Sequence, residues 1–309
     1  MSADAKCGEP WRKTPKWNTK LLDDLEKETK GYTPSEGFAF TKARILMVGQ
    51  VGSGKSSFIN TINSIFKGHI TSQACSGNAQ ESLTTEYRMY QIRSGKNGQP
   101  MNFRLHDTRG IEAGQGVDEI EMCYLLDGNV PNRHQFNPSV PLSPNTPGFI
   151  KNPLLSEKIH CAVFVIDGTT IDVMVENITE KMNKFKKCMN QRGIPQIVLL
   201  TKIDKICQKT ETDLSNVFYS TPIKEAVDKI SQIMGLPRSH IIPVKNLESE
   251  MDLNTNVSIL ALLSLQKMLH FADDGMNNQK GEDYYDVLSN ITIFIMLAFV
   301  CLLGLWFYE

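Results

Sequence analysis

The sequence predicts an α/β fold: a mostly parallel central sheet with helices on both faces and one antiparallel hairpin strand. Three observations carry this expectation. Short apolar runs alternate with helix-spaced stretches from Lys42 to Phe271, the pattern of strands joined by crossover helices. A glycine-rich turn, Gly49 to Ser56, separates the first apolar run from the first helical stretch. Two further polar motifs, Asp107 to Gly110 and Thr201 to Asp204, directly follow later apolar runs, where sheets of this class gather ligand-binding residues.

Taken in order, residues 1–40 form an N-terminal arm. Leu21, Leu22 and Leu25 stand at helical spacing, closed by Gly31 and Pro34, which reads as a short helix docking onto the main domain. The domain spans 41–272. It opens with strand Arg44–Val48 and helix Lys55–Phe66. Glu86–Arg93 and Met101–His106 read as a hairpin around the polar turn 94–98. The Pro- and Asn-rich stretch 128–157 reads as an inserted surface loop. Strand His160–Ile166, helix Ile171–Met189, strand Gln196–Leu200, helix Pro222–Met234, strand His240–Val244 and helix Asn256–Phe271 follow. Residues 273–286 are acidic and polar and read as a linker.

The segment 287–308 breaks the soluble pattern. From Val287 to Phe307 it is apolar apart from Ser289, Asn290 and Thr292, about the 20 residues a helix needs to cross a bilayer. Tyr284, Tyr285, Trp306 and Tyr308 stand near its ends, where aromatics favour the membrane interface. A buried core helix is the alternative, but a docked helix would show a polar stripe. The expectation is a transmembrane C-terminal helix on a chain otherwise in the cytoplasm.

Composition narrows the partners. The net charge is -1 without a long basic run, which gives no reason to propose nucleic acid. The seven cysteines are scattered without a C-x-x-C pair, which suits reduced cytosolic thiols. The six histidines show no metal-ligand spacing, and the charged N-terminus is unlike a secretory signal.

Gly49, Gln50, Val51, Gly52, Ser53, Gly54, Lys55 and Ser56 match G-x-x-x-x-G-K-[ST], the P-loop, with a strand before and a helix after. Glycines let backbone wrap phosphate oxygens, and the helix start, Ser57 included, points N–H groups and a positive dipole end at them. Lys55 is expected to reach the β- and γ-phosphates, and the Ser56 hydroxyl to ligate Mg²⁺. Asp107, at the end of a strand, is expected to hold Mg²⁺ through water, with the Gly110 backbone approaching the γ-phosphate. Thr84 or Thr85, in the segment 69–85, supplies a further hydroxyl to Mg²⁺; sequence does not choose between them, and Thr85 is the one taken forward.

Thr201-Lys202-Ile203-Asp204 decides the base. A carboxylate at Asp204 accepts from guanine N1–H and the exocyclic amine, and adenine offers no such donor pair. The Lys202 stem packs along the base plane. Lys245, in the loop Val244-Lys245-Asn246, lies where a further base contact would come from. These motifs predict a P-loop NTPase of the G-domain type binding GTP or GDP with Mg²⁺. An ATP-dependent P-loop enzyme is disfavoured by Asp204.

The hydrolytic chemistry is thin. Ras-like enzymes place Gln just after D-x-x-G to orient water, and Ile111 stands there; Val51 occupies a position where many small GTPases carry Gly. Both departures predict slow GTP hydrolysis, or hydrolysis completed by a partner or by homodimerisation across the nucleotide. Arg109 is weighed as an arginine finger in trans against an exposed switch-loop arginine, which is preferred. Gln115, in a Gly-flanked loop, is weighed as a substitute for the missing Gln and is not assigned that role. No catalytic residue is assigned, and a membrane-tethered, nucleotide-bound scaffold without turnover is the alternative.

With these residues in view, the chain resembles the interferon-induced protein 44 family. The resemblance covers most of residues 10–272. It is carried by Pro10-Trp11-Arg12, by Ala43 to Leu46, by Phe66 to Gln73, by Arg133 to Pro138, by Ile159 to Val165 and by Leu269 to Asp274. It implies a TRAFAC-class G domain in an interferon-inducible, mainly cytoplasmic protein of antiviral and innate immunity, with an immune-signalling protein as partner. The apolar tail departs from the usual family pattern and adds a membrane as an expected partner.

Overall fold

The computed structural model describes residues 8–34, 42–74, 86–95, 98–112, 117–137, 139–174 and 176–279. Thr84, Thr85, Gln115 and the apolar tail 287–308 lie outside the described residues. Among those described, no helix is long and apolar enough to cross a membrane.

The chain runs α1 (Thr19–Lys30), β1 (Ala43–Gly49), α2 (Lys55–Lys67), β2 (Glu86–Arg93), β3 (Pro100–Asp107), α3 (Glu119–Leu126) and β4 (His134–Gln135). It continues β5 (Cys161–Asp167), α4 (Glu176–Asn190), β6 (Gln196–Thr201), α5 (Ile203–Ile206), α6 (Gln208–Thr212), α7 (Thr221–Met234) and β7 (Ile241–Pro243). The last helix among the described residues, α8, spans 255–279. The strands form a seven-stranded sheet in the order β4-β2-β3-β1-β5-β6-β7. β1 pairs in parallel with β3 and β5, β6 with β5 and β7, and β2 runs antiparallel to β3 and β4. The expected mostly parallel sheet with one hairpin is therefore the fold.

Strand alternation divides the core in two. Leu46 and Val48 of β1 face one cluster with Phe164, Phe185 and Val227, while Ile45 and Met47 face the other with Phe58 and Leu265. Thus α3, α4 and α7 cover one face, and α2 and α8 the other. Every residue of β5 and β6 is buried, as expected of strands covered on both sides. The arm docks on both clusters. Leu25 of α1 is buried in the second, and Trp11 and Trp17 make edge contacts with Phe218 at 5.3 and 6.3 Å between ring centroids.

Four local differences from the sequence reading have physical causes. The stretch expected as a helix from Ile171 opens as a 3-10 turn, Gly168–Val173, whose Thr169 N–H is accepted by Asp167. α3 was not expected; Asp118 and Glu121 start it with a reciprocal capping box. α8 passes its expected end at Phe271 into the stretch read as linker, because Ala272 and Met276 extend its buried stripe. The insertion is more than a surface loop: β4 extends the sheet, and Val130, Phe136 and Leu142 are buried.

Candidate nucleotide site

The site lies at the C-terminal ends of the parallel strands. Gly49 ends β1 against β5 so closely that a Cβ there would sit 2.1 Å from the Val165 carbonyl oxygen. Gly54, with φ 97°, turns the chain into α2, and no described side chain caps that helix. Its first-turn N–H groups are thereby left for a ligand. Lys55 is buried, and its Nζ donates to the carbonyls of Gly49 and Gln50 at 2.9 Å each. Burial lowers the lysine's pKa, with Asp107 and Glu112 opposing.

Ser56 Oγ donates to Asp107 Oδ2 at 2.6 Å. Asp107 is fully buried, and its Oδ1 has no hydrogen-bond partner among the described residues. Burial raises the carboxyl pKa against the influence of Lys55, Ser56 and the Thr108 backbone. A buried carboxylate oxygen without a partner is costly unless a ligand completes it. No cluster of three or more His, Cys, Asp or Glu side chains suited to a metal occurs among the described residues. A hydroxyl and a carboxylate suit Mg²⁺, which takes few protein oxygens and is completed by phosphate and water. Ser56 and Asp107 would hold it, and it would supply positive charge to the phosphates.

The segment after Asp107 is packed against the P-loop. A Cβ on Gly110 would lie 2.5 Å from Val51 Cγ2 and 2.8 Å from Val51 N. Ile111 N donates to the Gly49 carbonyl at 2.9 Å, and its side chain is 1% exposed in the core. The residue at the water-orienting position is therefore a core side chain. Arg109 is 9% exposed, with an ion pair to Glu112 at 3.8 Å. The preferred reading of an exposed switch-loop arginine is corrected: the side chain is buried beside Glu112.

Two side chains from the base-side loops grip the P-loop. Thr201 Oγ1 donates to the Ser53 carbonyl at 2.7 Å, and Asn246 Nδ2 to the Gly54 carbonyl at 3.1 Å. Asp204, in the first turn of α5, is 5% exposed, with Lys205 Nζ 3.6 Å from its Oδ2. Lys202 has φ 55°, and its Nζ meets Asp167 Oδ2 at 2.6 Å. The P-loop, Asp107 and the Thr201–Asp204 motif thus converge, with Gly52 and Ser57 inside the first of them. Lys245 Nζ pairs with Glu250 Oε1 at 2.8 Å. Burial would raise the Glu250 pKa, but hydrogen bonds from Lys245 and the Glu248 backbone carry it down to about 2. Sequence reasoning missed Asp167 and left Asn246 unassigned. Their signal was position alone: each follows or ends a strand at the ligand edge of the sheet.

A family model described as 50S ribosome-binding GTPase matches residues 44–202, from the strand before the P-loop to Lys202. The chain belongs to this GTPase family. Interferon-induced protein 44-like of Homo sapiens is 36% identical over 259 residues, covering 82% of this chain and 56% of the relative. Interferon-induced protein 44 is 34% identical in Homo sapiens and 30% in Mus musculus, covering 82% of this chain each time and 57% and 60% of the relatives. The resemblance to the interferon-induced protein 44 family holds across most of the chain, which spans somewhat over half the length of these relatives. Among solved structures, a probable GTP-binding protein engB matches with 15% identity and a TM-score of 0.37, covering 66% of this chain and 89% of that one, too distant to add to the topology above.

Proposed function

We propose that the chain is a guanine-nucleotide-binding protein of the interferon-induced antiviral response, cleaving GTP slowly or only with a partner's help. One observation supports the guanine reading above others. Asp204 is a buried carboxylate on the loop that Thr201 ties to the P-loop, so one ligand bridges both. A buried carboxylate favours a base edge with two donors and penalises one without them. Gly49 to Ser57 hold phosphate, and Ser56, Asp107 and a switch threonine such as Thr85 hold Mg²⁺. Thr201, Lys202 and Asp204 form the base side. The immune role follows the names of the relatives, and the tail 287–308 is proposed as a membrane anchor on a cytoplasmic body.

A second reading, a membrane-tethered, nucleotide-bound scaffold without turnover, draws on Ile111, an aliphatic side chain buried in the core where a water-orienting glutamine would stand. Single-turnover GTP cleavage, followed at several concentrations of the full chain with Mg²⁺, separates the two. The first reading expects a slow rate that rises with protein concentration or on adding a partner. No cleavage under any of these conditions, with GTP bound, leaves the scaffold.

A further inference from the structure

We propose that Asp167, at the end of β5, is the positioning residue for Lys202, and that guanine-nucleotide affinity depends on their ion pair. The inference rests on the guanine reading above and adds a residue outside all three motifs. Lys202 takes a left-handed backbone conformation, φ 55°, which side-chain-bearing residues hold only when their surroundings enforce it. Its ammonium meets Asp167 Oδ2 at 2.6 Å, with the two side chains 34% and 11% exposed. Asp167 is itself fixed, because its Oδ1 accepts from Thr169 N at 2.9 Å and from Thr169 Oγ1 at 2.7 Å.

The turn carrying Asp167 also touches the base-side loop directly. A Cβ on Gly168 would lie 2.4 Å from Ile206 Cδ1 and 2.9 Å from the Thr201 carbonyl oxygen. The turn that carries Asp167 therefore packs closely against the loop that carries Lys202. The ion pair fixes the far end of the four-carbon stem beside the end of β5, while its backbone follows β6. A flat purine then meets an ordered apolar strip instead of ordering a mobile chain on binding. The pair has a second consequence. A lysine released from Asp167 has the Asp204 carboxylate two residues away as an alternative anion, and occupying Asp204 would blunt its reading of the base.

The test measures the dissociation constant of a fluorescent GDP analogue for the full chain, Asp167→Asn, Lys202→Met and the double variant. Asn keeps an acceptor for Thr169 and loses the charge. Asp167→Asn is expected to weaken binding about tenfold. In the Lys202→Met background the same change is expected to shift affinity less than about twofold, since coupled residues are non-additive. Asp167→Glu, which keeps the charge, is expected to recover part of the loss. Equal losses in both backgrounds make Asp167 a structural residue only, and an unchanged affinity in Asp167→Asn likewise overturns the proposal. If Asp167→Asn fails to fold, a Glu variant that folds yet does not bind better than Lys202→Met overturns it. A wild-type chain that binds no guanine nucleotide sinks the guanine reading and this inference with it. Wild-type binding with a neutral Asp167→Asn sinks the inference alone.

Discussion

A glutamine at position 111 would start from a backbone that turns its side chain into the apolar core. Ile111 is bonded through its N–H to the Gly49 carbonyl and buries its side chain with Leu46, Val48 and Met122. Ile111→Gln would thus bury an amide in an apolar cluster. It is expected to cost about 2–4 kcal/mol of stability in urea unfolding and to leave GTP cleavage no faster. Faster cleavage with unchanged stability would contradict this. The identity of residue 111 was plain in the sequence, and so was its unfitness to orient water. Its burial was not, because a single isoleucine after D-x-x-G carries no periodicity. Arg109 and Lys245 show a related limit: their ion pairs with Glu112 and Glu250 depend on how the loops fold and are not legible from residue type.

Among the elements, those buried on both sides were readable and those with local causes were not. β5 and β6 are continuous apolar runs, so their place in the sheet followed from the residues. α3 has eight residues with apolar side chains spread around it, which leaves no stripe to detect. Its start depends on Asp118, whose side chain accepts from Glu121 N at 2.7 Å, and on Glu121, which also accepts from Leu142 N at 3.3 Å. One capping box therefore ties α3 to the insertion. Asp118→Ala is expected to cost about 1 kcal/mol and to speed amide exchange in α3 ahead of the sheet. Uniform exchange protection in the variant would contradict that.

Across the whole molecule, buried ionisable groups make stability depend on pH. Burial, helped by the Arg44 charge, carries the His160 pKa from 6.5 down to about 3. The unfolded chain therefore takes up a proton near pH 6.5 that the folded chain refuses until about pH 3. The stability His160 contributes is full above 6.5 and is lost as pH falls through that window. Between pH 6.5 and 4.5 the wild type is expected to lose about 1 kcal/mol per pH unit more than His160→Gln, read from urea unfolding at each pH. Equal slopes would contradict the assignment. The comparison with the variant matters because burial raises the carboxyl pKa values of Asp107 and Glu121, and those groups pull in the opposite direction.

At the same scale, the central claim is that one ligand joins the phosphate loop to a guanine-reading carboxylate. The most direct test is the affinity of the full chain and of Asp204→Asn for GDP, xanthosine diphosphate and ADP. Xanthine carries a carbonyl where guanine has its amine, which suits the amide of Asn and not a carboxylate. The wild type is predicted to prefer GDP, and Asp204→Asn to lose about 100-fold in GDP affinity while gaining affinity for the xanthine nucleotide. A wild type that binds ADP as well as GDP, or a GDP affinity untouched by Asp204→Asn, would contradict the account.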